Sequence, residues 1–385
     1  MYLYIHELYT CVKSKKCYAK HNKMPNTKEL FSPSDTNAKQ EDIVIASLDP
    51  LNADEMLRSL PVMNVCRDIS GLVQLGEAIV PTPLQSNGFT RNESRAALRD
   101  LGMVAASIKR HGIEPVRVVP GLQEALISGG LKAGTVPRDT VLSYGAWNPD
   151  DQRRRKFTVL PDEDLFIDSF KRGSGQLDQS VVELLNTQDM DLQDSGFESA
   201  VNRSSKHFEQ MIGAIVAVRR HITPEVFTGE LRPYFEPYLV GERSYLAPGG
   251  AQMPVLLIDQ IMWGSDTADT QYQQYLIENT QYLPEEMRDL STNLSQKESM
   301  VSRVKRECAE KDTLQPQEQK SLGAMVDLTN KLIAFRRPHL ALAKANFALR
   351  SEKDNGSGGY KPDILEVLID HTEKARQSIK NVMKG

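Results

Sequence analysis

The sequence predicts a mainly α protein. Apolar residues recur at helical spacing over long stretches, helix caps mark the ends of those stretches, and period-two alternation is scarce. Only residues 140–144 and 157–160 read as short strands. A chain of 385 residues has room for a large core.

Residues 1–42 read as a polar N-terminal extension. The first 23 residues carry five lysines against one glutamate and lack the compact apolar core of a secretory signal. The stretch that follows is rich in Ser, Pro and Asn, as linkers are. His6, Cys11, Cys17 and His21 are zinc-type residues, but their spacing fits no zinc-finger pattern, so the bland alternative is a basic tail.

From about residue 43 the pattern is helical. Thr90 and Glu93 form a capping box, Leu98, Leu101, Ala105 and Ile108 follow at helical steps, and Lys109 to Gly112 supply a stop. A second helix is expected over about 205–221, with Phe208, Ile212 and Ile215 on one face. Thr223 then caps a third that starts at Pro224, carries Phe227, Leu231 and Tyr234, and stops before Pro237. Residues 237–254, with three glycines and Pro248, read as a long irregular stretch of the kind that often carries function.

Helices over about 254–263 and 268–293, the latter interrupted by Pro284, lead to a polar connector over 311–317. Beyond it, Met325, Leu328, Leu332, Phe335, His339 and Leu342 step by three and four, which sets His339 in an apolar stripe. Pro338 beside it predicts a kink or a helix restart. Gly356, Ser357, Gly358 and Gly359 then link to a final helix over about 362–382.

Charge and composition exclude several functions. Forty-seven basic against 51 acidic residues give a net charge of −4, with no basic field to attract nucleic acid. The longest apolar run, about 212–218, falls far short of the roughly 20 residues that cross a membrane. Four cysteines without a CxxC pair fit a reducing, cytoplasmic compartment. No GxSxG elbow, Walker A loop, HExxH or GxGxxG motif is present, which removes the common hydrolase, NTPase and nicotinamide chemistries.

Four features carry candidate chemistry. A neutral imidazole in an apolar wall, such as His339, can ligate a metal or haem iron, although many buried histidines are hydrogen-bonded core residues. Arg336, one turn earlier, can pair with a haem propionate or end a solvated helix. Arg232, bordering the Phe227 stripe, can hold a carboxylate or form a structural ion pair. The 356–359 glycines with Ser357 can close over an anionic ligand or act as a flexible linker.

Three runs then resemble a known group: His221-Ile222-Thr223-Pro224-Glu225-Val226-Phe227, Glu230-Leu231-Arg232-Pro233-Tyr234, and Tyr245 through Pro254 with Pro248-Gly249-Gly250. Together with Trp263-Gly264-Ser265, Phe335-Arg336-Arg337-Pro338-His339-Leu340 and Gly356-Ser357-Gly358-Gly359-Tyr360, they resemble the indoleamine 2,3-dioxygenase superfamily and, within it, the monodechloroaminopyrrolnitrin synthase branch. Upstream, Asp49-Pro50-Leu51, His111-Gly112-Ile113-Glu114-Pro115, Val119-Pro120-Gly121-Leu122 and Trp147-Asn148-Pro149 extend the resemblance over about residues 46–385. The chain departs from that branch at Phe347, where the synthase motif has a tyrosine, and in residues 249–252.

The resemblance implies an indoleamine 2,3-dioxygenase-like helical fold with a haem b pocket, residues 43–195 forming the distal side and 196–385 the haem-binding part. It implies that His339 is the proximal iron ligand and Arg336 a propionate partner. Phe227 and Arg232 would line an indole amino-acid pocket, and Gly356, Ser357, Gly358 and Gly359 would form the loop that closes over it. Dioxygen or a peroxide would be the second reactant, and the protein a monomer or homodimer. The implied reaction is oxidation or rearrangement of a tryptophan-type substrate, tryptophan itself or its 7-chlorinated form, in a pyrrolnitrin-like pathway. The alternatives are ring cleavage to N-formylkynurenine, a haem or indole sensor without turnover, and a helical scaffold that binds neither.

Overall fold

The computed structural model describes residues 40–349 and 360–384. Among them, helices dominate and the only sheet is one two-stranded hairpin. The first helix to position the site's surroundings is α1 (Arg91–Lys109), whose expected capping box is present: the Thr90 hydroxyl accepts from the Glu93 N–H at 3.2 Å, and the Glu93 carboxylate accepts from the Thr90 N–H at 2.8 Å.

Two long helices follow, α2 (Pro161–Leu185) and α3 (Ser195–His221), the latter starting ten residues before the expected 205. They run antiparallel, since Gln176 meets His207 at 2.7 Å, Ser180 meets Ser204 at 2.6 Å and Glu183 meets Arg203 at 2.7 Å. The hairpin strands β1 (Tyr238–Val240) and β2 (Arg243–Tyr245) occupy part of the stretch expected to be irregular. Their tight turn uses Gly241 at φ +62°, a left-handed conformation that costs glycine little.

Beyond the hairpin, α4 (Val255–Asp259) passes into a π-helical turn over Gln260–Gly264. The 33-residue α5 (Pro316–Ala348) lies parallel to α3, with Gln317 bonded to Glu198 and Lys331 to Glu209. The last helix, α6 (Asp363–Val382), returns antiparallel along α5, as Asn330–Arg376, Arg336–Thr372 and Lys344–Glu366 show. The expected restart at Pro338 does not occur: α5 continues through it. Pro338 frees the Ala334 carbonyl, and Ala334 is exposed, so water can take the place of the missing donor.

Both expected strands are corrected. Residues 141–144 form a helical turn, Val141–Tyr144, with Thr140 at its cap, where the Thr140 N–H donates to the Ser143 hydroxyl at 3.2 Å. Residues 157–160 form no ladder because the buried Glu163 carboxylate takes the N–H groups of Phe157 at 2.8 Å and Thr158 at 2.6 Å. The 268–293 stretch is two helices, Thr270–Thr280 and Glu285–Leu294, divided as expected near Pro284.

The apolar core has two parts. One is built on α2, α3, α4, α5 and α6, and the other on α1, residues 51–79 and the hairpin. Phe170 of α2 packs against both, and beside it the chain leaves a cavity. No helix among the described residues is long and apolar enough to cross a membrane.

Candidate functional site

The cavity measures about 240 Å³ and its lining is mostly apolar. It is walled by Phe166, Ser169 and Phe170 of α2, Met211 and Ala214 of α3, the 248–251 loop, and Phe335, Arg336, His339 and Leu342 of α5. The stripe read along α5 accounts for this. Met325, Leu328, Leu332 and Phe335 are buried in the core, and the next two steps, His339 and Leu342, emerge on the cavity wall.

Phe227 and Arg232 reach the same cavity by a local device that periodicity does not reveal. The expected third helix is α-helical only over Pro224–Val226, then becomes a π-helical turn over Phe227–Leu231 and a 3-10 turn over Arg232–Tyr234. The Arg232 N–H bonds to the Phe227 carbonyl five residues back, which stacks the two side chains on one side. In an α-helix, the same five-residue step would turn Arg232 about 140° away from Phe227.

The Phe227 ring meets Phe166 edge-on at 5.4 Å, and Phe166 in turn meets Phe170 at 4.9 Å and Phe235 at 6.1 Å. Arg232 is buried, and its Nη1 donates to the Phe235 carbonyl at 2.6 Å and to Glu236 Oε1 at 2.7 Å. Those bonds fix the guanidinium beside the aromatic wall.

His339 is half-buried, with its ring 6.1 Å from that of Phe335 and no hydrogen bond among the described residues. Burial and the neighbouring Arg336 charge push its pKa down to about 4, so the imidazole is neutral at pH 7 and its nitrogen lone pair is free to ligate. A glycine faces it: a Cβ at Gly250 would lie 3.5 Å from His339 Cε1 and 3.9 Å from Nε2. Arg336 is buried, bonded through Nη1 to Thr372 Oγ1 at 2.8 Å and through Nη2 to Asp259. Burial pushes the Asp259 carboxyl up against the opposing pull of Arg336, and its Oδ1 has no partner among the described residues.

The sequence model of the family Monodechloroaminopyrrolnitrin synthase PrnB matches residues 46–384. The chain belongs to this family. Members of the monodechloroaminopyrrolnitrin synthase family are enzymes of pyrrolnitrin biosynthesis that act on a tryptophan-derived substrate, and the mainly α fold accords with the indoleamine 2,3-dioxygenase-like superfamily.

Of the residues singled out by the synthase resemblance, the structure brings Phe227, Arg232, Arg336 and His339 to one cavity, and Phe347 lines it too. Gly356, Ser357, Gly358 and Gly359 lie outside the described residues, as do His6, Cys11, Cys17 and His21. Among the described residues, no three His, Cys, Asp or Glu side chains gather to hold a metal ion. Sequence reasoning missed Tyr144, Phe166, Phe170 and Phe235 in the aromatic wall and Asp259 behind Arg336. Phe166, Ser169 and Phe170 do step by three and one, a helical face visible in the sequence, but nothing local says that this face meets a cavity.

Proposed function

We propose that this chain is a haem b-dependent enzyme that oxidatively rearranges a tryptophan-type amino acid, 7-chlorotryptophan, on a pyrrolnitrin-like biosynthetic route. The reading is carried by one observation: a neutral His339, with no hydrogen bond among the described residues, shares an aromatic-walled cavity with a fixed arginine, Arg232. The residues present fit the cofactor. A nitrogen ligand with an available lone pair faces a glycine rather than a side chain, and a buried guanidinium lies one turn away. When bound, haem iron supplies the activation of dioxygen or a peroxide.

The protein does the rest by placement. His339 would ligate the iron, and Arg336, shared with Asp259, would offer a propionate its positive charge. Arg232 takes the amino-acid carboxylate, its orientation preset by Phe235 and Glu236. Phe227, Phe166 and Phe170 receive the indole between their edges and faces and keep water from it. Binding energy gained by the carboxylate and the ring therefore fixes the indole C2–C3 bond for attack.

The test is to incubate the haem-loaded protein with 7-chloro-L-tryptophan or L-tryptophan, peroxide or dioxygen with reductant, and to follow products by mass. A product lacking the carboxyl group supports rearrangement. N-formylkynurenine would move the chain to the ring-cleaving branch, and spectral change without consumption would make it a sensor.

A further inference from the structure

We propose that Gly173 sets the size of the ring-binding end of the cavity, acting through Met211 and Met253. The inference rests on the reading of the cavity as an indole amino-acid site. Gly173 continues the cavity-facing face of α2, three residues after Phe170 and seven after Phe166. It lies inside a regular helix at ordinary helical dihedrals, where glycine costs roughly 1 kcal/mol relative to alanine. Backbone geometry therefore does not require it.

Packing does. A Cβ at Gly173 would lie 2.8 Å from Met211 Sδ, 3.0 Å from Met253 Cε and 3.1 Å from Met211 Cε. Both thioethers line the cavity, one from α3 and one from the loop entering α4, and they fill the space left by the missing side chain. They are the mobile ends of unbranched side chains, so a methyl group at position 173 displaces them rather than the helices. Close-packed core surrounds them on the other sides, and the cavity is the space into which they turn.

This wall is apolar and polarisable, whereas the cavity's charged side chains, Arg232, Arg336 and Lys361, come from other parts of the chain. The methionine wall therefore meets the benzo edge of the ligand and whatever substituent that edge carries, a contact sulfur favours. Glycine at 173 keeps room for a ring larger than unsubstituted indole.

The experiment compares dissociation constants of L-tryptophan and 7-chloro-L-tryptophan for the haem-loaded wild type, Gly173→Ala and Gly173→Ala/Met211→Val, with thermal midpoints alongside. Gly173→Ala is expected to melt no lower than wild type and to lose about tenfold or more in affinity for the chlorinated ligand relative to tryptophan. The double variant is expected to recover the wild-type ratio. A folded Gly173→Ala with an unchanged ratio, or one that loses both ligands equally, overturns the proposal. So does a variant that fails to fold, because the thioethers then do not absorb the methyl. A wild type that binds neither amino acid removes the functional reading itself, an outcome distinct from an unchanged ratio.

Discussion

Asp259 and Arg336 form a buried ion pair one turn of α5 before His339, and Thr372 of α6 takes the other terminal nitrogen at 2.8 Å. The pair joins α4, α5 and α6 behind the cavity wall, so the charge that helps to keep His339 neutral is itself held in place by a carboxylate.

Removing one partner of such a pair leaves the other charge buried and uncompensated, which costs about 3–5 kcal/mol. Arg336→Ala is therefore expected to lower stability in denaturant titrations by that order. Arg336→Ala/Asp259→Ala should recover part of the loss. Equal stability of wild type and the single variant would mean that the pair holds nothing together.

His339→Ala should abolish haem retention while far-UV circular dichroism stays helical; wild-type haem content in that variant removes His339 as ligand. The pH dependence follows from its depressed pKa. In the haem-free protein an ordinary histidine, with a pKa of 6.5, would lose affinity for iron to protons as pH falls through the sixes, whereas His339 stays neutral down to about 4. The affinity of the haem-free protein for haem should be flat from pH 7 to 5 and weaken near 4, read from Soret titrations at each pH.

Arg232→Ala should leave haem content unchanged and weaken tryptophan binding by about tenfold or more, the loss of a charge-assisted contact of roughly 1.5–3 kcal/mol. Calorimetric titration checks it. Unchanged affinity would take the carboxylate away from Arg232.

Glu163 is wholly buried and accepts from the N–H groups of Phe157 and Thr158, the Thr158 hydroxyl and Tyr144 Oη, yet desolvation still pushes its pKa from 4.5 up to about 7. The folded state thus binds the proton more tightly than the unfolded chain does. Its contribution to stability is complete below pH 4.5 and is lost as pH rises through 7, a change of about 3 kcal/mol. Stability of wild type minus that of Glu163→Gln should fall with rising pH across that window. Subtracting the variant cancels the opposite trend from His339, whose contribution is lost as pH falls from 6.5 through 4.

The helical class and the ends of α1 were legible because caps are local: Thr90 and Glu93 satisfy each other three residues apart. The α5 stripe was legible for the same reason, down to His339. The strand expected at 157–160 was misread because the carboxylate of Glu163, not a neighbouring strand, takes those N–H groups. The hairpin was hidden because its strands have only three residues each, too few to show alternation. The π turn that brings Phe227 and Arg232 together leaves no period in the sequence, so each could be singled out without the geometry that makes them neighbours.

On the proposed function, His339 and Arg232 serve one cavity that holds haem and an indole amino acid together. The ultraviolet-visible spectrum of the haem-reconstituted protein, ferric and dithionite-reduced, titrated with L-tryptophan and 7-chloro-L-tryptophan, decides the matter. A Soret band is expected that is lost in His339→Ala and that shifts with the amino acid in wild type but far less in Arg232→Ala. No Soret band after reconstitution, or a band that neither amino acid shifts, would contradict it.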